Sequence, residues 1–429
     1  MEHPNERQPW RRLPTRFAKE LKTTFASLNS RNFRVYSLGQ VISLSGTWMQ
    51  TIALSWLVYR LTGSATALGM VSFAGSMPIL LFTYFGGMIA DRYDRKRILA
   101  ITQFLAMIEA ATLTALTFTG LISVPWLVVL ACVRGTITAI ELPARQSFIP
   151  DLVPKDQLHN AIGINSAIWN TSRTLGPALA GVLIGVFGET ICFGFNTVSY
   201  VAAFISLYLI KLEPRGKETE AEAKLAARDA GRSVWSILMG PELKYILLLS
   251  AATSIFGFQY GTLLPVVADK VLGGSSSTLG FLSAAAGLGA LFGSLTLANR
   301  GHSAFLRRAI GLACLVLACA IVLIGFSTVT LVSFVAVALA GGMLSFQLSG
   351  GNSIVQTSVS PSMRGRVMGV YSTFMLGFAP VAAMMAGWMA ETFGVSNALY
   401  VSAAAVFASA LTYLHFTRKT SGSVDENRS

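Results

Sequence analysis

The chain has 429 residues, of which 53% are hydrophobic and only 12% are charged. Soluble globular domains carry about 25% charged residues, so this composition excludes a disordered chain, a disulfide-rich secreted module and an ordinary cytosolic enzyme. The net charge of +13 does not indicate nucleic acid as a partner, because the basic residues form short clusters between long apolar runs. The composition predicts an integral membrane protein.

Apolar runs long enough to cross a bilayer recur twelve times along the chain. A spanning helix needs roughly 20 mostly apolar residues, and a helix satisfies its own backbone hydrogen bonds in lipid. The predicted spans are residues 37–59, 67–89, 98–119, 124–143, 159–187, 190–211, 244–267, 277–298, 307–326, 329–351, 366–390 and 396–416. The expected fold is therefore an all-α membrane protein with twelve transmembrane helices.

The distribution of Lys and Arg predicts which side of the membrane each loop faces. With both termini in the cytoplasm, only Arg60 and Lys270 of the 33 basic residues fall in far-side loops. Two more, Arg134 and Arg173, fall inside spans. Because the reversed topology would reverse that split, we predict a multi-pass protein of the cell (inner) membrane with two cytoplasmic termini.

One long polar stretch divides the spans into six and six. The expected domains are a cytoplasmic N-terminal tail (1–36), a six-helix bundle (37–211), a cytoplasmic linker (212–243), a second six-helix bundle (244–416) and a cytoplasmic tail (417–429). In the first tail, apolar residues recur at helical spacing among Lys and Arg, which favours a helix lying on the membrane surface. These residues are Phe17, Leu21, Phe25 and Leu28. A solvated tail is the alternative.

Two internal offsets align one half of the chain on the other. A shift of 206 residues places Gly181 on Gly387, and a shift of 211 residues places Gly69 on Gly280. Because glycine is common in this chain, each match is weak alone, but both shifts bring a half onto a half. Duplicated six-helix halves are typical of transporters whose substrate site lies between the halves near the midplane.

The loop between the second and third spans carries a charged motif. It reads Gly86-Gly87-Met88-Ile89-Ala90-Asp91-Arg92-Tyr93-Asp94-Arg95-Lys96-Arg97. This loop resembles the G-x-x-x-D-R-x-G-R-[KR] motif of the major facilitator superfamily, with Asp94 where many members have Gly. The variant with Asp resembles the branch that includes the enterobactin exporter and related drug and macrolide exporters. The opening Asn32-Phe33-Arg34-Val35-Tyr36 resembles that branch too.

The resemblance implies a gating motif made of Gly87, Asp91, Arg92, Arg95, Lys96 and Arg97. Asp91 is a carboxylate at a helix C-terminus, where the helix dipole disfavours it, so it needs partners from elsewhere. By resemblance those partners are nearby arginines and the N-terminus of the eleventh span in the other half, which locks the outward-facing state. Arg364 and Arg366 lie just before that span. Gly87 is expected to let a neighbouring helix approach closely. The alternative is a basic loop that only anchors the chain in the membrane.

A second motif lies in the fifth span. Gly176, Pro177 and Gly181 resemble the antiporter motif G-x-x-x-G-P-x-x-G-G, which in that family marks exporters, while Ser172 and Ala180 depart from it. A Gly-Pro pair removes a backbone hydrogen bond and permits a bend, and small residues allow close packing. An ordinary kinked membrane helix is the alternative.

Ionisable residues inside spans are functional candidates, because a charge at the bilayer centre costs about 2.5–3.5 kcal/mol or more. Glu109 and Arg134 fall at similar depths, so Glu109 is a candidate proton carrier and a static ion pair is the alternative. Glu141 and Arg145 have i,i+4 spacing, which favours a structural ion pair first and an inner gate second. Arg173 would suit either an anionic substrate or a buried carboxylate.

Polar and aromatic side chains within spans are candidates for a substrate cavity. They are Trp48, Gln50, Asn165, Trp169, Gln259, Tyr260, Gln347 and Asn352. By resemblance, the first, fourth, seventh and tenth spans line the cavity, and helix–helix hydrogen bonds are the alternative for each side chain. No phosphate-binding loop and no metal-ligand spacing occurs in the sequence, so we expect no ATP, no metal and no other cofactor.

Together these features predict a secondary transporter that exports a small amphipathic molecule, siderophore or drug-like, by proton-coupled alternating access. The expected partners are the small-molecule substrate, protons and membrane lipid, and we expect a monomer. A membrane enzyme is disfavoured because the sequence shows no paired catalytic carboxylates, histidine cluster or nucleophile–base pair. A lipid transporter and a proton-coupled nutrient-uptake symporter of the same fold are the alternatives.

Overall fold

The computed structural model describes residues 26–212, 237–240, 243–298, 303–359 and 361–426. Within these ranges the chain forms helices and turns and contains no strand. The surface helix was predicted from four apolar residues, and three of them, Phe17, Leu21 and Phe25, lie outside the described residues. Residues 213–236 of the predicted linker lie outside them as well. The described chain begins with a short 3-10 turn at Ala26–Asn29.

Twelve long helical segments follow one another in these ranges. They are α1 (Arg31–Thr62), α2 (Ala65–Arg92), α3 (Arg95–Phe118), α4 (Val124–Phe148), α5 (Leu158–Phe187), α6 (Glu189–Leu209), α7 (Lys244–Val271), α8 (Ser276–Ala298), α9 (Ser303–Phe326), α10 (Thr330–Ser358), α11 (Pro361–Leu376 and Ala379–Phe393) and α12 (Val395–Glu426). Helix α7 contains π-helical turns at Thr253–Gly257 and Val267–Val271. Eleven helices in the described chain are long and apolar enough to cross a membrane. Helix α5 is not among them, because side chains such as Asn170 and Arg173 lower its hydropathy.

Two of the helices extend well beyond the apolar runs that predicted them. Helix α1 begins at Arg31, where the side chain of Ser30 accepts a hydrogen bond from the backbone N–H of Phe33. Helix α12 continues to Glu426. A capping side chain sets where a helix begins, whereas hydropathy marks only the part that lies in lipid. The sequence therefore predicted the positions of the spans better than their ends.

The turns with left-handed backbone lie at one end of the molecule. They are at Gly63, Gly120, Gly188, Gly273 and Gly394, with φ between 58° and 87°. Glycine adopts this conformation without the steric cost that a side chain would add. Because successive helices run in opposite directions, these turns share one end of the molecule, which we call the glycine-turn end.

Most helix contacts stay within α1–α6 or within α7–α12. In the first set, α2 packs against α4, α1 against α5 and α6, and α3 against α4 and α6. In the second set, α8 packs against α10, α9 against α10 and α12, and α7 against α11 and α12. Two helix pairs make the main contacts between the sets, α5 with α8 and α2 with α11.

Glycines make both of these crossings close. A Cβ at Gly181 on α5 would lie 2.8 Å from the Cα of Gly280 on α8. A Cβ at Gly387 on α11 would lie 3.1 Å from the Cα of Gly69 on α2 and 2.5 Å from the carbonyl oxygen of Ala65. Small residues allow helix backbones to touch in this way. These four glycines are the ones that the two sequence offsets pair, 181 with 387 and 69 with 280.

Candidate functional site

A cavity of about 450 Å³ lies among α1–α5. Ligand pockets are typically about 300–1,000 Å³, so it has room for a small molecule. Its polar and aromatic lining includes Gln40, Ser43, Thr47, Trp48, Gln50, Glu109, Arg134, Thr138, Glu141, Arg145 and Trp169. The predicted candidates Trp48, Gln50 and Trp169 therefore share one cavity with three of the four predicted intramembrane charges. Whether they contact substrate stays a prediction.

A buried ion-pair cluster forms one side of the cavity. The carboxylate of Glu141 accepts a hydrogen bond from Nη2 of Arg145 at 2.7 Å, as the i,i+4 spacing predicts, and from Nε2 of Gln103 on α3 at 3.0 Å. Its second oxygen lies 3.8 Å from Nη2 of Arg134. The Arg134 guanidinium also lies over the ring of Tyr200, 5.3 Å from its centroid. The Glu141 carboxylate thus forms ion pairs with two guanidinium groups of its own helix, those of Arg134 and Arg145.

Glu109 lies in the same cavity but belongs to a different hydrogen-bond network. Its two oxygens accept from Nε2 of Gln50 at 3.2 and 3.1 Å, and Oε1 of Gln50 accepts from Asn196 on α6 at 2.7 Å. The residue is only 4% exposed. In the described chain no ion pair joins Glu109 to Arg134, so the predicted static pair is wrong for this conformation. Arg134 turns instead toward Glu141, two turns further along its own helix.

Two arginines make cation–π contacts with tryptophans. The guanidinium of Arg145 lies 5.7 Å from the centroid of Trp169, and that of Arg173 lies 5.8 Å from Trp48. The two indole rings meet edge to face at 5.9 Å. Such contacts stabilise a cation by about 0.5–2 kcal/mol, depending on how far it is removed from water. Arg173 forms no ion pair within the described ranges, so the predicted carboxylate partner is not seen.

The remaining predicted cavity residues lie outside this cavity. Gln259 and Gln347 are fully buried. Gln259 accepts a hydrogen bond from a hydroxyl of α12 at 2.6 Å, and Gln347 donates one to a hydroxyl of α7 at 3.3 Å. Tyr260 is buried, and Asn352 accepts from the next turn of α10 at 2.8 Å. Asn165 on α5 is also absent from the lining. For Gln259 and Gln347 the structure shows the alternative, hydrogen bonds between helices.

The charged loop links the beginning of α3 to the ends of α4 and α6. Nη1 of Arg95 lies 3.2 Å from the carboxylate of Asp151, just after α4. The Lys96 ammonium donates to the carbonyl of Ile210, just after α6, at 2.6 Å. Cations at helix C-termini stabilise the unpaired carbonyl groups there. Two residues of the predicted gating motif thus hold α3 to α4 and α6 in this conformation.

The central residue of that motif makes no such contact. Asp91 is exposed near the end of α2, and within the described ranges it forms no ion pair. Arg92 and Arg97 are exposed as well. The side chains of Arg364 and Arg366 lie outside the described residues, so their pairing with Asp91 stays a prediction.

The close helix approach at this loop occurs one residue before the predicted position. A Cβ at Gly87 would meet no heavy atom within 4 Å, whereas a Cβ at Gly86 would collide with the carbonyl oxygen of Ala139 on α4. The expectation for Gly87 is therefore wrong. One residue turns the Cβ direction by about 100° around a helix, and the motif alone does not show which of two adjacent glycines faces α4.

The predicted antiporter motif lies where α5 meets both α1 and α8. A Cβ at Gly176 would lie 2.7 Å from the Cβ of Trp48 on α1, and Gly181 contacts α8 as described above. Helix α5 runs without interruption through Pro177. The small residues of the motif therefore serve helix packing on two sides. Its role in the direction of transport stays a prediction.

Contacts that the sequence did not predict join helices of α1–α6 to helices of α7–α12 at the glycine-turn end. The Tyr59 hydroxyl on α1 donates to Asp269 on α7 at 2.8 Å. Glu391 near the end of α11 accepts from the backbone N–H of Ala65 at 2.8 Å and from the hydroxyl of Ser64 at 3.0 Å. A carboxylate at the N-terminus of a helix is stabilised by the helix dipole. Asp269 and Glu391 lie just beyond the predicted spans 244–267 and 366–390, where hydropathy gives no information about side-chain partners.

Comparison with known proteins identifies the family. Residues 22–429 match the family described as transmembrane secretion effectors, within the major facilitator superfamily, and the chain belongs to it. The predicted resemblance is therefore confirmed. The chain is 26% identical to the staphyloferrin A transporter of Staphylococcus aureus, covering 89% of this chain and 95% of that protein. It is 22% identical to macrolide efflux protein A of Streptococcus pyogenes, covering 89% and 96%.

One further relative agrees with this assignment, and two solved structures share the fold. The multidrug efflux pump Tap of Mycolicibacterium fortuitum is 25% identical, over 82% of this chain and 87% of that protein. The fold is similar to that of a bacterial homologue of the human lysosomal transporter Spinster, with a TM-score of 0.71 and 16% identity over 91% and 97% of the two chains. The nucleoside transporter NupG gives a TM-score of 0.70 and 13% identity over 90% and 99%.

Proposed function

We propose that the chain exports a small amphipathic molecule, siderophore or drug-like, across the inner membrane by proton-coupled alternating access. Its similarity along most of its length to a staphyloferrin A transporter and to macrolide and multidrug efflux proteins supports this class of substrate. The observation that carries the proposal is the charged cavity among α1–α5, in a chain whose two helix sets make their main contacts at two close crossings. A solute route of this kind needs a cavity and two parts that can move relative to each other.

In this proposal α1–α6 and α7–α12 are the two bundles that rock about the cavity. The glycine-turn end faces the outside of the cell in this proposal, which is supported by the sequence because only Arg60 and Lys270 of the 33 basic residues fall in far-side loops. The bond from Tyr59 to Asp269 and the bond from Ala65 to Glu391 join the two bundles at that end. The conformation then corresponds to a state closed to the outside, and export requires both bonds to break.

Glu109 is the proposed proton carrier. A carboxylate in a membrane-embedded cavity is costly when charged, so it takes up a proton unless a partner stabilises the charge. Gln50 donates to it here, and Arg134 lines the same cavity without contacting it. A movement of α3 against α4 that accompanies rocking would change the distance from Arg134 and so alter the affinity of Glu109 for a proton. Competition between that proton and the substrate then drives export.

The proposal is tested in everted membrane vesicles that carry the chain. With the vesicle lumen acidified, we expect accumulation of a labelled macrolide or of iron-free staphyloferrin A, because the cytoplasmic face of the membrane now faces outward. A protonophore should abolish the accumulation, and vesicles without the chain provide the baseline. Accumulation that survives the protonophore would contradict proton coupling. Uptake only into right-side-out vesicles would favour a nutrient symporter, and movement of labelled phospholipid alone would favour a lipid transporter.

Asp91→Asn is expected to lower transport by roughly tenfold or more. The reason is that losing a charged hydrogen bond made in only one of two conformations shifts the equilibrium between them by about this factor. The Asp91 side chain is exposed here, so the folded protein should be recovered in normal amounts. Asp94→Asn is the matched control. The Asp94 side chain caps the N-terminus of α3 by accepting a hydrogen bond from the backbone N–H of Arg97, and an asparagine side chain can accept the same bond. Initial rates in proteoliposomes measure both variants. Wild-type rates for Asp91→Asn would contradict the gating role.

A further inference from the structure

A second pocket, of about 360 Å³, lies between α3 and α6 and shares no lining residue with the cavity among α1–α5. It is formed where α3 begins and α6 ends. Its lining includes Lys96 and Arg97 on α3, Phe204 and Tyr208 on α6, and Leu212 just beyond α6. This is the end opposite the glycine turns, which the distribution of basic residues puts at the cytoplasmic boundary of the membrane. Lys96 and Arg97 belong to the predicted gating motif, but the proposed mechanism gives the pocket between α3 and α6 no ligand.

The charge of this pocket favours an anion. The Lys96 ammonium uses one N–H to donate to the carbonyl of Ile210 at 2.6 Å, and among the described residues its other two N–H groups have no partner. The Arg97 side chain is exposed. The acidic residue of the pocket, Asp94, accepts from the backbone N–H of Arg97 at 2.7 Å and so caps α3. Arg31 adds a further cation at the end of α6, where its guanidinium donates to a backbone carbonyl at 3.5 Å.

Exposed apolar side chains continue from the pocket along both helices. They are Ile101, Phe104, Leu105 and Ile108 on α3, and Val201, Phe204, Ile205 and Tyr208 on α6. Residues 101, 104 and 108 follow Arg97 at intervals of four, seven and eleven, which puts them on one face of α3. Tyr208 is 80% exposed. Apolar exposure is ordinary for a surface in lipid, but here it begins at two cations on the membrane boundary.

We propose that this pocket binds the phosphate of an anionic glycerophospholipid from the cytoplasmic leaflet. Lys96 and Arg97 contact the phosphodiester, and the acyl chains lie along the apolar face between α3 and α6. Basic groups at this depth attract anionic lipid headgroups. A free phosphate would use the same cations but would gain nothing from the apolar face. The geometry therefore favours a lipid headgroup over a soluble anion.

The test uses the purified full-length chain in neutral detergent. It is titrated with dioleoyl phosphatidylglycerol, with dioleoyl phosphatidylcholine, or with glycerol phosphate as the soluble headgroup, and native mass spectrometry measures the bound fraction. We expect retention of phosphatidylglycerol at concentrations where the other two probes do not bind. Arg97→Gln should weaken that binding about fivefold, which is the contribution of one basic residue near an anionic headgroup. Arg97 is exposed, so this variant should fold normally.

Arg308→Gln is the matched control, since Arg308 is an exposed arginine near the beginning of α9 in the other half of the chain. We expect it to bind phosphatidylglycerol as the wild type does. Equal weakening by both substitutions would show a nonspecific charge effect and overturn the site. Equal binding of glycerol phosphate would show a site for a soluble anion, which also overturns the lipid proposal. Phosphatidylcholine binding as tight as that of phosphatidylglycerol would exclude recognition of charge.

Discussion

Gly181→Val is expected to abolish most transport while leaving a folded protein in the membrane. A Cβ at this position would lie 2.8 Å from the Cα of Gly280 and 2.9 Å from the carbonyl oxygen of Ser276. Both neighbours are backbone atoms, so α5 and α8 must separate. Overpacking of this kind costs about 1–3 kcal/mol, which shifts an equilibrium between two conformations by roughly 5- to 150-fold. Because the crossing joins the two proposed bundles, the cost falls on the state that closes the glycine-turn end.

The matched control is Gly163→Val on the same helix. A Cβ there would meet no heavy atom within 4 Å, so the substitution carries the same intrinsic helix propensity change without the collision. Macrolide accumulation in everted vesicles measures transport, and thermal melting of the purified protein measures folding. We expect transport near the wild-type level for Gly163→Val. Equal losses in the two variants would show that valine in α5 acts through the helix itself and not through the crossing.

These crossings are also where the sequence was most informative about architecture. The two offsets pair Gly181 with Gly387 and Gly69 with Gly280. In the structure Gly181 meets Gly280 and Gly387 meets Gly69, so the two crossings correspond to each other under the proposed repeat. Offsets can show which positions correspond, but they cannot show that a glycine of one pair would touch a glycine of the other pair. That contact depends on how the halves are arranged in three dimensions.

The candidate site was predictable only where its contacts are local. The Glu141–Arg145 ion pair follows from i,i+4 spacing on one helix, which fixes the geometry before any tertiary structure forms. Equal depth gave a static pair between Glu109 and Arg134 as an alternative that this conformation does not contain, because depth along two helices says nothing about the direction in which each side chain points. For the same reason the sequence did not predict that Gln50 donates to Glu109.

Glu109→Gln is expected to stop substrate-dependent proton movement without disturbing the fold. Nε2 of Gln50 is directed at residue 109, and Oε1 of Gln50 is occupied by the amide of Asn196 at 2.7 Å, which fixes the orientation of the Gln50 amide. A glutamine at 109 can present its carbonyl to Gln50 and retain that hydrogen bond. The substitution then removes the ionisable group and little else. Adding macrolide to proteoliposomes that contain a pH-sensitive dye should give the proton signal of empty liposomes.

The variant Glu141→Gln serves as a destabilised reference, which shows whether Glu109→Gln acts through proton coupling or through a loss of stability. It removes the carboxylate that pairs with Arg145 at 2.7 Å and lies 3.8 Å from Arg134, and so leaves two largely buried cations with less compensation. Breaking a buried ion pair in this way costs about 3–5 kcal/mol, so this variant should melt at a clearly lower temperature than the wild type. Glu109→Gln should melt near the wild type. If it instead melts as Glu141→Gln does, or still moves protons in step with substrate, Glu109 has a structural role and the proton must be carried by another group.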